Sequence, residues 1–125
     1  NTIALKLDEN ISIDADPEKI GRVFGNILKN AVAYSYPKTE IVVSAQREGD
    51  FISIAFQNQG KTIPAEQLSA LFDKFYRLDA ARISDTGGTG LGLAIAKEIV
   101  LLHGGAIEAR SEYETVTFVV KLPIS

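Results

Sequence analysis

The sequence predicts an α+β domain, a two-layer α/β sandwich with a mixed, mostly antiparallel sheet and three helices on one face. Three observations lead there. Short alternating segments at positions 2–8, 11–14, 40–48, 51–57, 106–110 and 115–122 have the period of strands. They are interleaved with segments of helical period. Gly49-Asp50 joins two of the strands through a tight turn, which rules out a purely parallel sheet.

Taken in order, TIALKLD and ISID flank an Asp8-Glu9-Asn10 turn and open the chain as two short strands. Asp16-Pro17 then supplies an N-cap and a first-turn proline, with Glu18 suited to the positive end of a helix. From there Ile20, Val23, Phe24, Ile27, Leu28, Ala31 and Val32 follow the i, i+3, i+4, i+7 rule, so a long helix should pack on a core and stop near Pro37. EIVVSAQRE and FISIAFQ form the hairpin at Gly49-Asp50, the loop NQGKTI follows, and a short helix runs from Pro64 through about Phe72. Residues 79–88 are small, polar and without periodicity, as a flexible loop requires. A helix starting near Gly90 is apolar almost all round and is expected to be largely buried until Gly104-Gly105 ends it. AIEAR and TVTFVVKL close the sheet.

Composition sets the outer bounds. With 125 residues, 46% hydrophobic, the chain suits one domain that buries roughly 65% of its unfolded surface in a single core. Thirteen Lys+Arg against sixteen Asp+Glu give a net charge of −3 without a basic run, so nothing favours nucleic acid or an anionic membrane as partner. No apolar run reaches the roughly 20 residues of a membrane span. Zero cysteines exclude disulfides and thiolate metal sites and fit a reducing compartment, and a single histidine excludes a histidine-based metal cluster. The absence of methionine leads us to expect that residues 1–125 are one domain of a longer chain.

Two segments carry chemistry. In 87–93, GGTGLGL feeds directly into a helix, and such a glycine-rich start presents backbone N–H groups and a positive dipole end to a polyphosphate. In NILKNAVAYS, Asn26 and Asn30 share one helix edge about 6 Å apart along the axis, with Tyr34 a turn further on, between that edge and the core. An amide oxygen together with phosphates is an acceptable ligand set for magnesium, which takes oxygen donors in octahedral geometry. Taken alone, the same pair also fits an ordinary helix surface.

In the order NILKNAVAYS, NQGKTIP, LFDKFYR, GGTGLGLAIAKEIVLLHGG, the motifs span nearly the whole chain and resemble the catalytic ATP-binding domain of sensor histidine kinases. Within that family, QNQGKTIP and FYRLDAARISDTGG are similar to the vancomycin-resistance sensor kinases. The resemblance implies membership of the gyrase, Hsp90 and MutL class, a Bergerat-type sandwich with a flexible ATP lid, here residues 79–88. It implies ATP and Mg²⁺ as ligands. Asn30 would hold the metal, and Asn26 would stand beside the phosphates as a catalytic residue with Arg77, which meets the terminal phosphate. Tyr34 would pack on adenine, Asn58 accept from its amino group, and Gly60 let the base approach the backbone, with Ile63 beside it. Phe72 and Phe75 match the phenylalanine motif, and Gly88, Thr89, Gly90, Leu91 and Gly92 the phosphate loop.

That resemblance further implies phosphoryl transfer to a histidine on a separate dimerisation domain of the parent, and from it to a response regulator. The parent would be a membrane-anchored homodimer with this domain on the cytoplasmic side. Three positions depart from the family pattern. Asn58 replaces an aspartate, which predicts weaker adenine binding or looser base selectivity, Thr62 replaces a second glycine and adds a β-branched side chain beside the base, and Ala33 replaces a basic residue that would reach the phosphates. Lys29, Arg77 or Arg82 would have to supply the charge missing at Ala33. An amide at Asn26 cannot act as general base where hydrolysing relatives carry glutamate, so ATP turnover without an acceptor should be slow. A nucleotide-gated interaction module without phosphoryl transfer is the alternative.

Other matches are weaker. AFQNQGKT at 55–62 fits a relaxed P-loop pattern, but only one glycine remains and Pro64 occupies the first helical turn, where donors are needed. GGTGLGL is no dinucleotide fingerprint, since Leu93 holds the third glycine position counted from Gly88. His103, before Gly104 at a helix end, is placed as a capping histidine rather than a phosphoacceptor.

Overall fold

The computed structural model describes residues 2–7, 16–73 and 92–124. A five-stranded sheet in the order β1-β2-β3-β5-β4 is built from β1 (Thr2–Leu7), β2 (Glu40–Glu48), β3 (Phe51–Gln59), β4 (Ala106–Glu112) and β5 (Thr115–Pro123). β1 runs parallel to β2, and the remaining neighbours are antiparallel, so the sheet is mixed as the sequence predicts. The helical layer comprises α1 (Pro17–Tyr34), the short α2 (Ala65–Leu68) continued by a 3-10 turn at Ser69–Phe72, and α3 (Gly92–Leu102). The expected strand at 11–14 lies outside the described residues, as do the loop at 79–88 and any turn of helix before Gly92.

Helix α1 begins where Asp16 caps it, its Oδ1 accepting from the backbone N–H groups of Glu18 at 3.0 Å and Lys19 at 3.3 Å. Ile20, Val23, Ile27 and Ala31 form its buried stripe, and Phe24 leans on Phe56 of β3 with ring centroids 5.8 Å apart. The inward face of β3 continues that core with Ile52, Ile54 and Phe56, opposite Val116, Phe118, Val120 and Leu122 of β5. Phe72 belongs to this core, with the Lys97 ammonium 5.9 Å above its ring, so the aromatic of LFDKF has the ordinary role of filling the interior.

Two sequence expectations need correction. Helix α3 is not largely buried: Leu93, Ala96, Ile99 and Val100 face inward, whereas Leu101 and Leu102 are 54% and 75% exposed. In a two-layer fold a helix has one face on the core, and hydrophobicity all round cannot create a second. Strand β3 also extends two residues into the expected NQGKTI loop, because its ladder with β5 runs on to Gln59 opposite Thr115. Helix α3 ends as foreseen, with Gly104 at φ +77° and Gly105 N–H donating to the Val100 carbonyl, a Schellman closure. Among the described residues no helix is long and apolar enough to cross a membrane.

Candidate functional site

Asn26 and Asn30 lie on the edge of α1 that faces the start of α3, since an i, i+4 pair occupies one side of a helix. The Asn26 side-chain Nδ2 donates to the Gly92 carbonyl at 3.1 Å, bridging 66 positions of sequence. Asn30 Nδ2 donates to the Asn26 carbonyl at 2.9 Å. With its nitrogen committed in this way, the Asn30 amide retains Oδ1 as an acceptor-only atom, the donor type a hard cation takes. Gly92 fits against both amides: a Cβ built there would lie 3.7 Å from Asn30 Nδ2 and 3.9 Å from Asn26 Cβ. The fold therefore unites the two asparagines with the last glycine of the GGTGLGL segment.

A second cluster forms where α1 ends. Extension of β3 turns Asn58 inward, in line with Ile52, Ile54 and Phe56, and the residue is only 1% exposed. Among the described residues neither its Oδ1 nor its Nδ2 has a hydrogen-bond partner. Beyond it, Gly60 passes so close to the helix end that a Cβ would overlap the Tyr34 carbonyl oxygen and come within 3.1 Å of Asn58 Nδ2. Only glycine allows that approach. Tyr34, Asn58 and Gly60 are thus neighbours, with Ile63 buried in the core cluster three residues on.

The segment after Gly60 is held by residues that sequence reasoning missed. Glu114 N–H donates to Thr62 Oγ1 at 2.8 Å, Gly60 N–H donates to the Glu114 carbonyl at 3.0 Å, and Ile63 N–H donates to Ser111 Oγ at 2.8 Å. Tyr36 OH donates to Glu114 Oε1 at 2.8 Å, and this bond to a carboxylate is the main reason its phenol is held above the ordinary value. The β4–β5 turn places Tyr113 and Glu114 at φ +49° and +59°, the paired positive values of a type I′ hairpin. Neither residue is the Gly or Asn that announces such a turn, which is why this docking was not legible.

Phe75, Arg77, Gly88, Thr89, Gly90 and Leu91 lie outside the described residues. Around 55–62 there is no phosphate loop: the chain is strand to Gln59 and without regular structure from Gly60 to Pro64, and α2 has only four residues. His103 is tied into the domain, Nδ1 donating to the Ile99 carbonyl at 2.9 Å while Nε2 accepts from Asp16 N–H at 3.3 Å. Both ring nitrogens are engaged in joining the ends of α3 and α1, as a structural histidine requires. Among the described residues no group of three or more His, Cys, Asp or Glu side chains is placed to hold a metal, so any cation here would rely on amide and phosphate oxygens.

Residues 15–125 match the family of histidine kinase-, DNA gyrase B- and HSP90-like ATPases. The chain is 56% identical over 115 residues to the sensor protein VanS of Enterococcus faecium, covering 92% of this chain and 30% of that protein. It is 50% identical over 119 residues to the sensor protein VanSC of Enterococcus gallinarum, covering 95% of this chain and 33% of the relative. It thus spans about a third of the length of these relatives. The structure of the mycobacterial sensor histidine kinase MprB superimposes with a TM-score of 0.84 at 26% identity, over 98% of this chain and 81% of the other.

Proposed function

This chain belongs to the histidine kinase-, DNA gyrase B- and HSP90-like ATPase family, and on that premise we propose that it is the kinase module of a two-component sensor. It binds Mg-ATP and donates the γ-phosphoryl to a histidine of a dimerisation domain in the same parent protein. The bond from the γ-phosphorus to the bridging oxygen breaks, a phosphorus–nitrogen bond to the imidazole forms, and ADP leaves. A response regulator then receives the phosphoryl group, and the parent is a membrane-anchored homodimer with this domain in the cytoplasm.

The observation that carries this reading is the convergence of Asn26, Asn30 and Gly92. Asn30 offers Oδ1 to the metal, and magnesium, when bound, neutralises charge on the phosphates. Asn26 fixes the carbonyl of Gly92 and with it the first turn of α3, whose N–H groups have no intrahelical acceptor and suit an anion. Gly88, Thr89, Gly90 and Leu91 extend that cradle, and Arg77 meets the terminal phosphate. Tyr34, Asn58, Gly60 and Ile63, with Phe75, enclose the base. Because Asn26 is an amide whose nitrogen is already donating, it has no basic atom with which to activate water. Bound ATP is therefore preserved for the histidine acceptor, and positioning supplies most of the catalysis.

Binding of a fluorescent ATP analogue with and without magnesium, to wild type, Asn30→Ala and Lys61→Ala, tests the site. Asn30→Ala should lose the magnesium-dependent tightening, and Lys61→Ala should retain it. The reverse pattern would move the phosphates to 55–62 and end this reading. Mixing the chain with its dimerisation domain and γ-labelled ATP tests the transfer. An unlabelled domain in the presence of bound nucleotide would leave a nucleotide-gated interaction module.

A further inference from the structure

From Gly60 to Pro64, between β3 and α2, the chain has neither helix nor strand to take up its backbone polar groups. Their partners must come from other parts of the fold. Gly60 N–H donates to the Glu114 carbonyl at 3.0 Å, one step past the last β3–β5 pair, Gln59 with Thr115. Ile63 N–H donates to Ser111 Oγ at 2.8 Å, and Thr62 Oγ1 accepts from Glu114 N–H at 2.8 Å. All three anchors belong to the β4–β5 hairpin.

The turn of that hairpin is held in a costly conformation. Tyr113 and Glu114 have φ of +49° and +59°, values that an Asn-Gly pair adopts freely and larger side chains do not. Such backbone persists where its surroundings over-determine it, and ligand clamps are among the places where it collects. Here the determinants are the N–H, the carbonyl and the carboxylate of Glu114, bonded in turn to Thr62, Gly60 and Tyr36. The Thr62 bond is exposed and the Ser111 bond part-buried, so their loss loosens the segment locally instead of unfolding the domain. What they fix is a wall made by Gly60, which packs on the Tyr34 carbonyl, and Ile63, which enters the core.

We infer that the β4–β5 hairpin positions the base-binding segment: Glu114, through Thr62 and Gly60, and Ser111, through Ile63, hold residues 60–63 where they meet the base. They are positioning residues that set ATP affinity without touching the phosphates. The inference rests on the proposed nucleotide site and adds the residues outside it that determine how tightly the base is held.

The test is the initial rate of histidine labelling by γ-labelled ATP in the full-length parent protein, over a range of ATP concentrations, for wild type, Thr62→Val, Thr62→Ser and Ser111→Ala. Valine keeps the β-branched shape and removes the acceptor, whereas serine keeps the acceptor. Thr62→Val and Ser111→Ala should each raise KM about three- to tenfold with kcat within about twofold of wild type, the signature of lost binding that is the same in ground and transition states. Thr62→Ser should stay within about twofold of wild type in both constants, because its hydroxyl still accepts from Glu114 N–H. An unchanged KM in folded Thr62→Val or in Ser111→Ala overturns the inference. So does a fall in kcat as large as the rise in KM, or a serine variant as impaired as the valine one. If circular dichroism shows Thr62→Val unfolded, Ser111→Ala decides alone. A wild-type parent that takes no label from ATP would instead remove the proposed kinase activity, and this inference with it.

Discussion

The side-chain amide of Asn26 donates to the carbonyl of Gly92 at 3.1 Å, so that one turn of α1 is fastened to the first residue of α3. The bond is part-buried and ties the glycine-rich segment to the asparagine edge. Asn26→Ala should lower unfolding free energy by about 1 kcal/mol, measured by urea denaturation. Phosphoryl transfer should fall by at least about tenfold, a larger effect than on ATP binding, if the bond positions the cradle rather than merely holding the fold. Equal losses in both would point to a structural role only.

Gly60 and Gly25 predict opposite signs for the same substitution. A Cβ at Gly60 overlaps the Tyr34 carbonyl oxygen, a backbone atom that cannot give way, whereas among the described residues nothing lies within 4 Å of a Cβ at Gly25. Gly60→Ala should destabilise by about 1–3 kcal/mol. Gly25→Ala, on an exposed helix position, should stabilise by roughly 0.4–1 kcal/mol. Thermal melts of the two variants give the comparison, and a shift in the same direction would contradict the packing described.

Asp16 caps α1 through two backbone N–H groups, while its own N–H donates to His103 Nε2. Asp16→Ala should cost about 1 kcal/mol. The backbone bond to His103 does not depend on the side chain, so Asp16→Asn, another good cap, should recover most of the loss. Denaturant midpoints of the three proteins provide the measurement.

Tyr36 supplies the pH dependence. Its hydroxyl donates to the Glu114 carboxylate, and its pKa is raised above the ordinary 10.0, first by that hydrogen bond, then by desolvation, then by the negative charge. A pKa raised on folding means that the stabilising form is the protonated one. The contribution is complete below pH 10.0 and is lost as pH rises through the folded value. Tyr36→Phe should therefore remove from the phenolate absorbance a component that ionises above pH 10.0. Because the residue is exposed, stability at neutral pH should change little.

Much of the architecture was legible because it rests on local rules. Asp16-Pro17 sets the start of α1, the spacing from Ile20 to Ala31 sets its buried stripe, Gly49 at φ +62° makes the first hairpin turn, and Gly104 with Gly105 ends α3. Each needs only a cap, a period or a backbone that tolerates positive φ. The order of the motifs also disclosed the family. Which residues meet was decided by the tertiary structure alone. Continued pairing of β3 with β5 turned Asn58 from an expected loop residue into a buried strand residue, and chain entry at the end of α1 made Gly60 obligatory. The contacts of Asn26 with Gly92 and of Thr62 with Glu114 join residues far apart in sequence. No local pattern encodes such distances, because they depend on how the sheet and helices stack once apolar surface is buried.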